Sequence, residues 1–199
     1  MSQILQKSNN GTSQISLDAK LLNQRMLFIE GEITNQIAVE FAKKILYLNM
    51  ESSNPIKVFV NSSSGETTAG LLMIDAIVGS VAEITTICLG KVYSMAAVLF
   101  LSANKRWILA NSEIMLHEVL LNGNINENLN NIKNLTDRLM KTREKLNSII
   151  SEHTNHSIKE IEQAISYDHF HIVKLIGITF WKMKDISSLL PNIFQSMML

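Results

Sequence analysis

The fold can be inferred first from residues 84–102, which read ITTICLGKVYSMAAVLFLS. Residues 84–89 are apolar and rich in β-branched side chains, a pattern typical of a short buried strand. Gly90 interrupts this pattern, and the apolar segment 94–102 has the length and composition of a buried helix. The sequence here predicts a strand, a tight turn and a helix in direct succession.

The same alternation of strands and helices extends on both sides of this segment. Further strands are predicted at residues 26–29, 56–60, 107–109 and 114–116, and helices from Thr34 or Asn35 to Asn54-Pro55 and over residues 68–78. Strands that alternate with helices indicate parallel βαβ units with right-handed crossovers. Sites in such sheets lie at the carboxyl ends of the strands, where the breaks at residues 62–65 and 90–94 are predicted.

Length and composition limit the classes of protein to which this chain can belong. It has 199 residues, of which 46% are hydrophobic, with 18 basic and 18 acidic side chains and no net charge. That balance suits one domain with a substantial core and argues against binding to nucleic acid or to a membrane surface. The single cysteine, Cys88, excludes an intramolecular disulfide. With no recognisable targeting or membrane-spanning segment, we expect a reducing, cytoplasmic setting.

The two ends of the chain have different patterns. Residues 1–16 lack periodicity and are predicted to form a flexible N-terminal arm, followed by a single domain over residues 17–199. A long amphipathic helix is predicted over about 128–151; at roughly 1.5 Å per residue it is longer than so small a domain needs. We expect it to project and to pack against another copy, with folding back on its own domain as the alternative. A capping box at residues 157–160 opens a further helix.

Three residues could carry hydrolytic chemistry, although each also has a plainer interpretation. Ser94 lies at a turn between strand and helix, where its hydroxyl would be exposed beside backbone N–H groups, but it could be a plain N-cap. His117 ends a predicted strand and could be a half-buried histidine bonded to a carbonyl. Asp168 could be a surface carboxylate at a helix end. No metal is predicted, because metal-ligand spacing is lacking at the other histidines: His153, His156, His169 and His171.

A series of short motifs accompanies these three residues along the chain. They are Leu21-Leu22, Arg25-Met26-Leu27-Phe28, Asn61-Ser62-Ser63-Ser64-Gly65, Thr68-Ala69-Gly70 with Asp75, Thr86-Ile87-Cys88-Leu89-Gly90, Tyr93-Ser94-Met95-Ala96-Ala97, Lys105-Arg106-Trp107, Asn111-Ser112, Ile114-Met115-Leu116-His117-Glu118, Glu160-Ile161 and Asp168-His169-Phe170. In this order they resemble the proteolytic subunit of the ATP-dependent Clp protease, over about residues 17–170.

The resemblance implies a chemical role for each candidate residue. Ser94 would be the nucleophile, His117 the general base and later acid, and Asp168 the carboxylate that orients the imidazole. The backbone N–H groups of Ser64 and Met95 would bind the developing oxyanion. The expected activity is serine-type endopeptidase cleavage of unfolded polypeptide through an acyl-enzyme, without a cofactor.

The resemblance also implies a fold and an assembly. The fold would be α/β, of the crotonase-like, Clp protease type: a βαβ superhelix with a projecting handle at about residues 118–152. Members of this family form heptameric rings, stacked in pairs through the handles, and a hexameric ATP-driven unfoldase feeds them unfolded polypeptide. The setting would be the cytoplasm, or the plastid stroma for an organelle-encoded chain.

Several positions depart from the family's pattern. Ser63-Ser64 replaces a Pro-Gly pair, and a serine would cost on the order of 1–2 kcal/mol if the loop needed positive φ there. Ala96 replaces a glycine, Glu118-Val119 replaces a Gln-Pro pair, and Tyr167 replaces an arginine used between rings. Residues 171–199 form a divergent apolar tail, expected to pack on the domain or on a neighbour. These changes leave open a catalytically weak structural subunit of a mixed ring; a more distant alternative is an acyl-thioester enzyme of the crotonase fold.

Overall fold

The computed structural model describes residues 2–8, 11–119, 128–165 and 179–181. Its strands are β1 (Gln3–Ser8), β2 (Gly11–Ser16), β3 (Met26–Glu30), β4 (Ile56–Ser62), β5 (Ile84–Tyr93), β6 (Lys105–Leu109), β7 (Glu113–Met115) and β8 (Thr179–Trp181). Its helices are α1 (Leu17–Asn23), α2 (Asn35–Glu51), α3 (Thr67–Val78), α4 (Met95–Leu101), α5 (Leu129–His153) and α6 (Ile158–Ile165).

A parallel sheet organises the described part of the chain. Its strands lie in the order β3-β4-β5-β6-β8, and β7 pairs with the end of β5. Helices α2, α3 and α4 connect successive strands, as expected for βαβ units. The predicted α/β class is therefore confirmed, and Thr34 caps α2 by accepting a hydrogen bond from the N–H of Ile37 at 3.4 Å.

The core is centred on β5 and α4. Every side chain of α4 is buried, as are the first five residues of β5. A helix that is apolar on all sides must be covered on all sides, and α4 contacts β4, β5, α3 and α5. The helix that begins immediately after Ser94 is thus enclosed by the rest of the domain.

Strand β5 changes its partner along its length. Residues 85–88 pair with β6 and residues 91–93 pair with β7, and its register with β4 shifts in between. Gly90, with φ of 94°, lies at this bulge, a conformation that glycine adopts without steric cost. The predicted strand, which ended at Leu89, was therefore too short. Gly90 forms part of the bulge, and the strand continues beyond it to Tyr93.

The N-terminal segment contains paired strands that the sequence interpretation lacked. Residues 1–16 were expected to form a flexible arm, whereas β1 and β2 form an antiparallel hairpin with Gln3 opposite Ser16. The first four residues of β2 are exposed. The pairing is made by backbone hydrogen bonds, which do not depend on the side chains. Because the exposed side chains do not alternate between apolar and polar, the sequence pattern did not predict these strands.

Helix α5 packs on the domain through its C-terminal half only. Asn147 and Ile150 are buried, whereas the N-terminal half is largely exposed and 84% of Leu129 is accessible. The predicted length is confirmed to within two residues. The part of the expected handle at residues 120–127 lies outside the described residues.

The remaining sequence-based expectations concern the C-terminal region. Of the divergent tail, the short strand β8 pairs in parallel with β6 and so extends the main sheet. Tyr167, Asp168 and the rest of the tail lie outside the described residues. In the part of the chain that the structure describes, no helix combines the length and apolar character needed to cross a membrane.

Candidate active site

Ser94 occupies a strained turn between β5 and α4. Its φ and ψ angles are 56° and −126°, and Arg25 is the only other non-glycine residue with positive φ among those described. Its backbone N–H donates to the carbonyl of Met115 at 2.9 Å, and its own carbonyl accepts from the N–H of Ala97 at 2.9 Å. Such backbone strain costs on the order of 1–3 kcal/mol and concentrates at functional sites.

The side chain of Ser94 does not serve the helix that it precedes. Ser94 stands at the N-cap position of α4, but its hydroxyl makes no capping hydrogen bond. A plain N-cap would have extended backbone and a side-chain bond to the first turn. The interpretation of Ser94 as an ordinary cap therefore does not describe this turn.

Two polar side chains hold the bulge that leads into this turn. Ser112 Oγ accepts from the N–H of Gly90 at 2.9 Å and donates to the carbonyl of Cys88 at 3.1 Å. Asn61 Oδ1 accepts from the N–H of Lys91 at 3.4 Å. Sequence reasoning assigned neither side chain a role, although both belong to the quoted motifs. Asn61 directly follows the predicted strand 56–60, and Ser112 lies between the predicted strands 107–109 and 114–116.

His117 reaches the same edge of the sheet because β7 pairs with the last part of β5. Tyr93 lies opposite Met115 in this parallel pair, so Ser94 and His117 lie just beyond the ends of two adjacent strands. Both residues line one cavity of about 280 Å³. The structure thus brings Ser94 and His117 to one cavity, and their catalytic roles stay a prediction.

The ring of His117 has a defined backbone partner. Its Nδ1 lies 2.5 Å from the carbonyl oxygen of Glu118. Because a carbonyl oxygen can only accept, Nδ1 is the donor in this contact, and Nε2 of the neutral ring is then the basic nitrogen. That tautomer is the one that a general base for Ser94 needs. Asp168, the carboxylate expected to orient this ring, lies outside the described residues.

The two expected oxyanion donors also border the cavity. Met95 follows Ser94 at the start of α4, and Ser64 lies in the loop after β4. Ser64 does not have positive φ, so serine carries no backbone strain in this loop. The carbonyl of Ser64 accepts from the hydroxyl of Ser62 at 3.0 Å and from the N–H of Ile33 at 3.1 Å. Replacement of the family's glycine at residue 64 thus leaves the backbone of the loop in an ordinary conformation.

The glycine that this loop does require is Gly65. A Cβ atom at this position would lie 2.5 Å from the Cβ of Ile33, 3.1 Å from its carbonyl oxygen and 3.2 Å from its Cα. Gly65 and Ile33 form an isolated parallel bridge, which brings the two backbones together. Gly70 has a comparable role in α3, where a side chain would collide with that of Met95.

Three further residues of the cavity wall were missed by the sequence analysis. Arg143 and Asn147 reach the cavity from α5, and Glu118 borders it beside His117. Only 1% of Asn147 is accessible, and its Nδ2 has no hydrogen-bond partner among the described atoms. Asn147 could have been noticed in the sequence, because it is a polar residue between Leu146 and Ile150, on the side of α5 that was predicted to be apolar.

The single cysteine is not a competing nucleophile. Cys88 is buried in β5, and burial raises the pKa of its thiol from 9.0 to about 12. The thiolate, which is the reactive form, is therefore scarce at neutral pH. Among the described residues, no group of three or more His, Cys, Asp or Glu side chains could hold a metal ion.

Comparison with known families agrees with this architecture. The family model described as Clp protease matches residues 9–174, which is most of the chain and somewhat more than the resemblance noted from its motifs. The matched segment includes β5, α4, β7 and α5, together with Asp168. Clp proteases are peptidases, and a match of this extent shows that the chain belongs to the Clp protease family.

Proposed function

We propose that the protein is a serine-type endopeptidase in which Ser94, His117 and Asp168 act together on unfolded polypeptide. The observation that carries the proposal is the conformation of Ser94: a strained residue at the end of β5, with a hydroxyl that caps nothing, on the same cavity as His117. Family membership makes peptide hydrolysis the relevant chemistry.

In the proposed mechanism, Ser94 Oγ attacks the carbonyl carbon of the scissile peptide bond. His117 Nε2 takes the hydroxyl proton, and the N–H groups of Met95 and Ser64 stabilise the oxyanion of the tetrahedral intermediate. His117 then gives the proton to the departing amine, which leaves an acyl-enzyme on Ser94. A water molecule, deprotonated by His117, hydrolyses this ester and restores the serine. The role of Asp168, stabilising the charged imidazole, comes from the family resemblance alone.

The proposed assembly is a pair of stacked heptameric rings that enclose the active sites and are fed by an ATP-driven unfoldase, in the cytoplasm or a plastid. Two surface features support it. The N-terminal half of α5 extends away from the domain with Leu129 and Met140 exposed. The surface also exposes large apolar side chains on α2 and before β5, including Leu46, Met50 and Val81. Apolar exposure of this kind is typical of surfaces that contact other subunits or partners.

Reaction with a fluorophosphonate, followed by mass spectrometry, tests the mechanism directly. We expect covalent labelling of Ser94 in the unmodified protein and its loss in Ser94→Ala, together with a fall in peptide cleavage of at least about 10³-fold. Ser53→Ala, a serine substitution in an exposed loop, should leave both labelling and cleavage unchanged.

The same measurement separates this proposal from a catalytically weak structural subunit. Such a subunit would assemble but leave Ser94 unlabelled, whereas an active subunit is labelled when purified alone. The ordinary backbone of Ser64 removes one of the arguments for an impaired site. Cleavage that persists in Ser94→Ala would contradict the serine mechanism, and turnover of an acyl-thioester by that variant would favour the crotonase alternative.

A further inference from the structure

One face of α5 forms a wall of the cavity that Ser94 borders. Four residues of α5 line this cavity and, at spacings of three and four, lie on one side of the helix: Arg143, Leu146, Asn147 and Ile150. The arginine side chain is 27% exposed, whereas Asn147 and Ile150 are buried. The face therefore runs inward from the mouth of the cavity, and Asn147 lies about one helical turn inside the mouth.

The inner part of the cavity, beyond Arg143, is mainly apolar. Its wall includes three buried side chains from α4, from the end of β7 and from α6: Val98, Leu116 and Ile165. A peptide bond attacked by Ser94 has its carbonyl oxygen at the N–H groups of Ser64 and Met95. The side chain of the residue that carries this carbonyl then lies beside the inner part of the cavity, which is the space open to it.

Asn147 places a polar group in this apolar wall. Only 1% of the residue is accessible, and its Nδ2 has no hydrogen-bond partner among the described atoms. The terminal torsion of an asparagine is broad, so an NH2 group without a partner can turn toward an acceptor that enters the cavity. A buried donor without a partner is unfavourable, and a ligand that supplies an acceptor removes this penalty when it binds.

The charges near the mouth favour a neutral acceptor over a carboxylate. Glu32 and Glu118 both border the cavity. The guanidinium of Arg143 already lies 3.0 Å from a carboxylate oxygen of Glu118 and 3.4 Å from one of Glu162. An ionised side chain of the substrate would lose its hydration and approach like charges. A carboxamide has no net charge, and its oxygen can accept from Nδ2 while its NH2 donates to the Asn147 oxygen.

We propose that Asn147 is a specificity-determining residue that binds the carboxamide of a glutamine immediately before the scissile bond. Nδ2 donates to the glutamine oxygen, and the aliphatic carbons of the glutamine pack against the apolar wall. Glutamine is favoured over asparagine because its longer side chain reaches an amide one turn inside the mouth. This inference rests on the proposed function, since it assigns a substrate preference to the same serine.

The experiment compares kcat/KM for fluorogenic peptides that differ only at the residue before the scissile bond. Glutamine, glutamate and norleucine have similar lengths, but glutamate adds a charge and norleucine lacks an acceptor. We expect Asn147→Leu to lower the ratio of glutamine to norleucine cleavage about tenfold, the effect of losing one hydrogen bond to a buried donor. The unmodified protein should cleave the glutamine peptide faster than the glutamate peptide.

Two further variants separate recognition from a general change of structure. Asn147→Ala removes the amide without adding apolar bulk and should also lower the ratio, so it decides the question if Asn147→Leu does not fold. Asn134→Leu makes the same exchange at an exposed position of α5 and should leave the ratio unchanged. A small fluorophosphonate has no side chain for the inner part of the cavity, so it should label Ser94 equally fast in all folded variants.

The outcomes for the inference and for the proposed function are distinct. An unchanged ratio in Asn147→Leu, or equal losses with the glutamine and norleucine peptides, would overturn the role in specificity while leaving the serine mechanism intact. Equal cleavage of the glutamine and glutamate peptides by the unmodified protein would also overturn it. Absence of Ser94 labelling in the unmodified protein would overturn the proposed function and, with it, this inference.

Discussion

The nucleophile and the base of the candidate site are held by different kinds of interaction. Ser94 lies between the end of β5, whose first five residues are buried, and the fully buried helix α4, and backbone hydrogen bonds fix its strained turn. His117 lies just beyond the three-residue strand β7, beside Glu118, whose carboxylate lies 3.0 Å from Arg143 Nε of α5. The first region is determined by backbone packing and the second by contacts between charged side chains.

This difference bears on how each region can change. A turn held by buried backbone tolerates few substitutions, since every alternative side chain meets packed atoms. A segment held by ion pairs can be adjusted by single exchanges, as the Glu118-Val119 departure from the family's pattern illustrates. We expect the loop beside Ser94 to be sensitive to steric changes, and the segment beside His117 to changes of charge.

The largest expected effect on the packed region comes from Gly65→Ala. The new Cβ would lie 2.5 Å from that of Ile33, with Ile33 backbone atoms close behind, so the loop must move. We expect a loss of about 2 kcal/mol in the free energy of unfolding, typical of overpacking, measured by urea denaturation. Peptide cleavage should fall as well, because the loop carries the Ser64 oxyanion donor.

A matched control for this substitution is Gly31→Ala. Gly31 has φ of 75° with open space around it, so alanine there meets strain but no collision, and should cost about 1 kcal/mol. Cleavage should be retained in this variant. If Gly65→Ala is as stable and as active as Gly31→Ala, the close approach to Ile33 does not constrain the loop.

The packed region was also the part that the sequence predicted best. The strand, the glycine break and the apolar helix around Ser94 are local patterns, and they predict a local structure. The bulge at Gly90 was missed, because its cause is the pairing of β5 with two different strands. The contacts of Ser112 and Arg143 could not be predicted, since each joins residues far apart in the chain. The predicted role of Asp168 remains a prediction.

Titration provides a second way to distinguish the two regions. Burial raises the pKa of Cys88 in β5 from 9.0 to about 12. Above pH 9 the unfolded chain therefore loses a proton that the folded chain keeps, and stability falls as the pH rises through this window. The expected slope is about 1.4 kcal/mol per pH unit from this group. Cys88→Ala should lose that slope, measured as the difference in unfolding free energy from the unmodified protein between pH 9 and 11.

Acid should act at a third place, the start of α6. Ser157 donates from its hydroxyl and from its N–H to Glu160 Oε2, at 2.7 and 2.8 Å, and these hydrogen bonds lower the pKa of Glu160. That cap is complete above the ordinary pKa of a glutamate and is lost as the pH falls below it.

An alkaline slope that is equal in the unmodified protein and in Cys88→Ala would show that Cys88 does not report on the packed region.

The smallest expected effect concerns the wall of the cavity, where the two regions meet. Asn147 is buried and its Nδ2 lacks a partner among the described atoms, which is unfavourable by about 1–3 kcal/mol. Leucine has a similar shape and no polar atoms, so Asn147→Leu should raise the free energy of unfolding by about 1 kcal/mol. If a substrate is the acceptor of this donor, Asn147→Leu should also make cleavage after polar side chains decrease relative to cleavage after apolar ones.

The control for this last substitution is Asn134→Leu, at an exposed position of α5. Both changes replace asparagine by a better helix former, so the difference between their unfolding free energies isolates the buried amide from helix propensity. Equal stabilisation by the two variants would mean that Nδ2 of Asn147 is satisfied in solution. Greater stability of Asn147→Leu without any change in cleavage preference would place the amide outside substrate recognition. Only the combination of higher stability and altered preference would show that this region keeps a polar group for the substrate at the expense of its own packing.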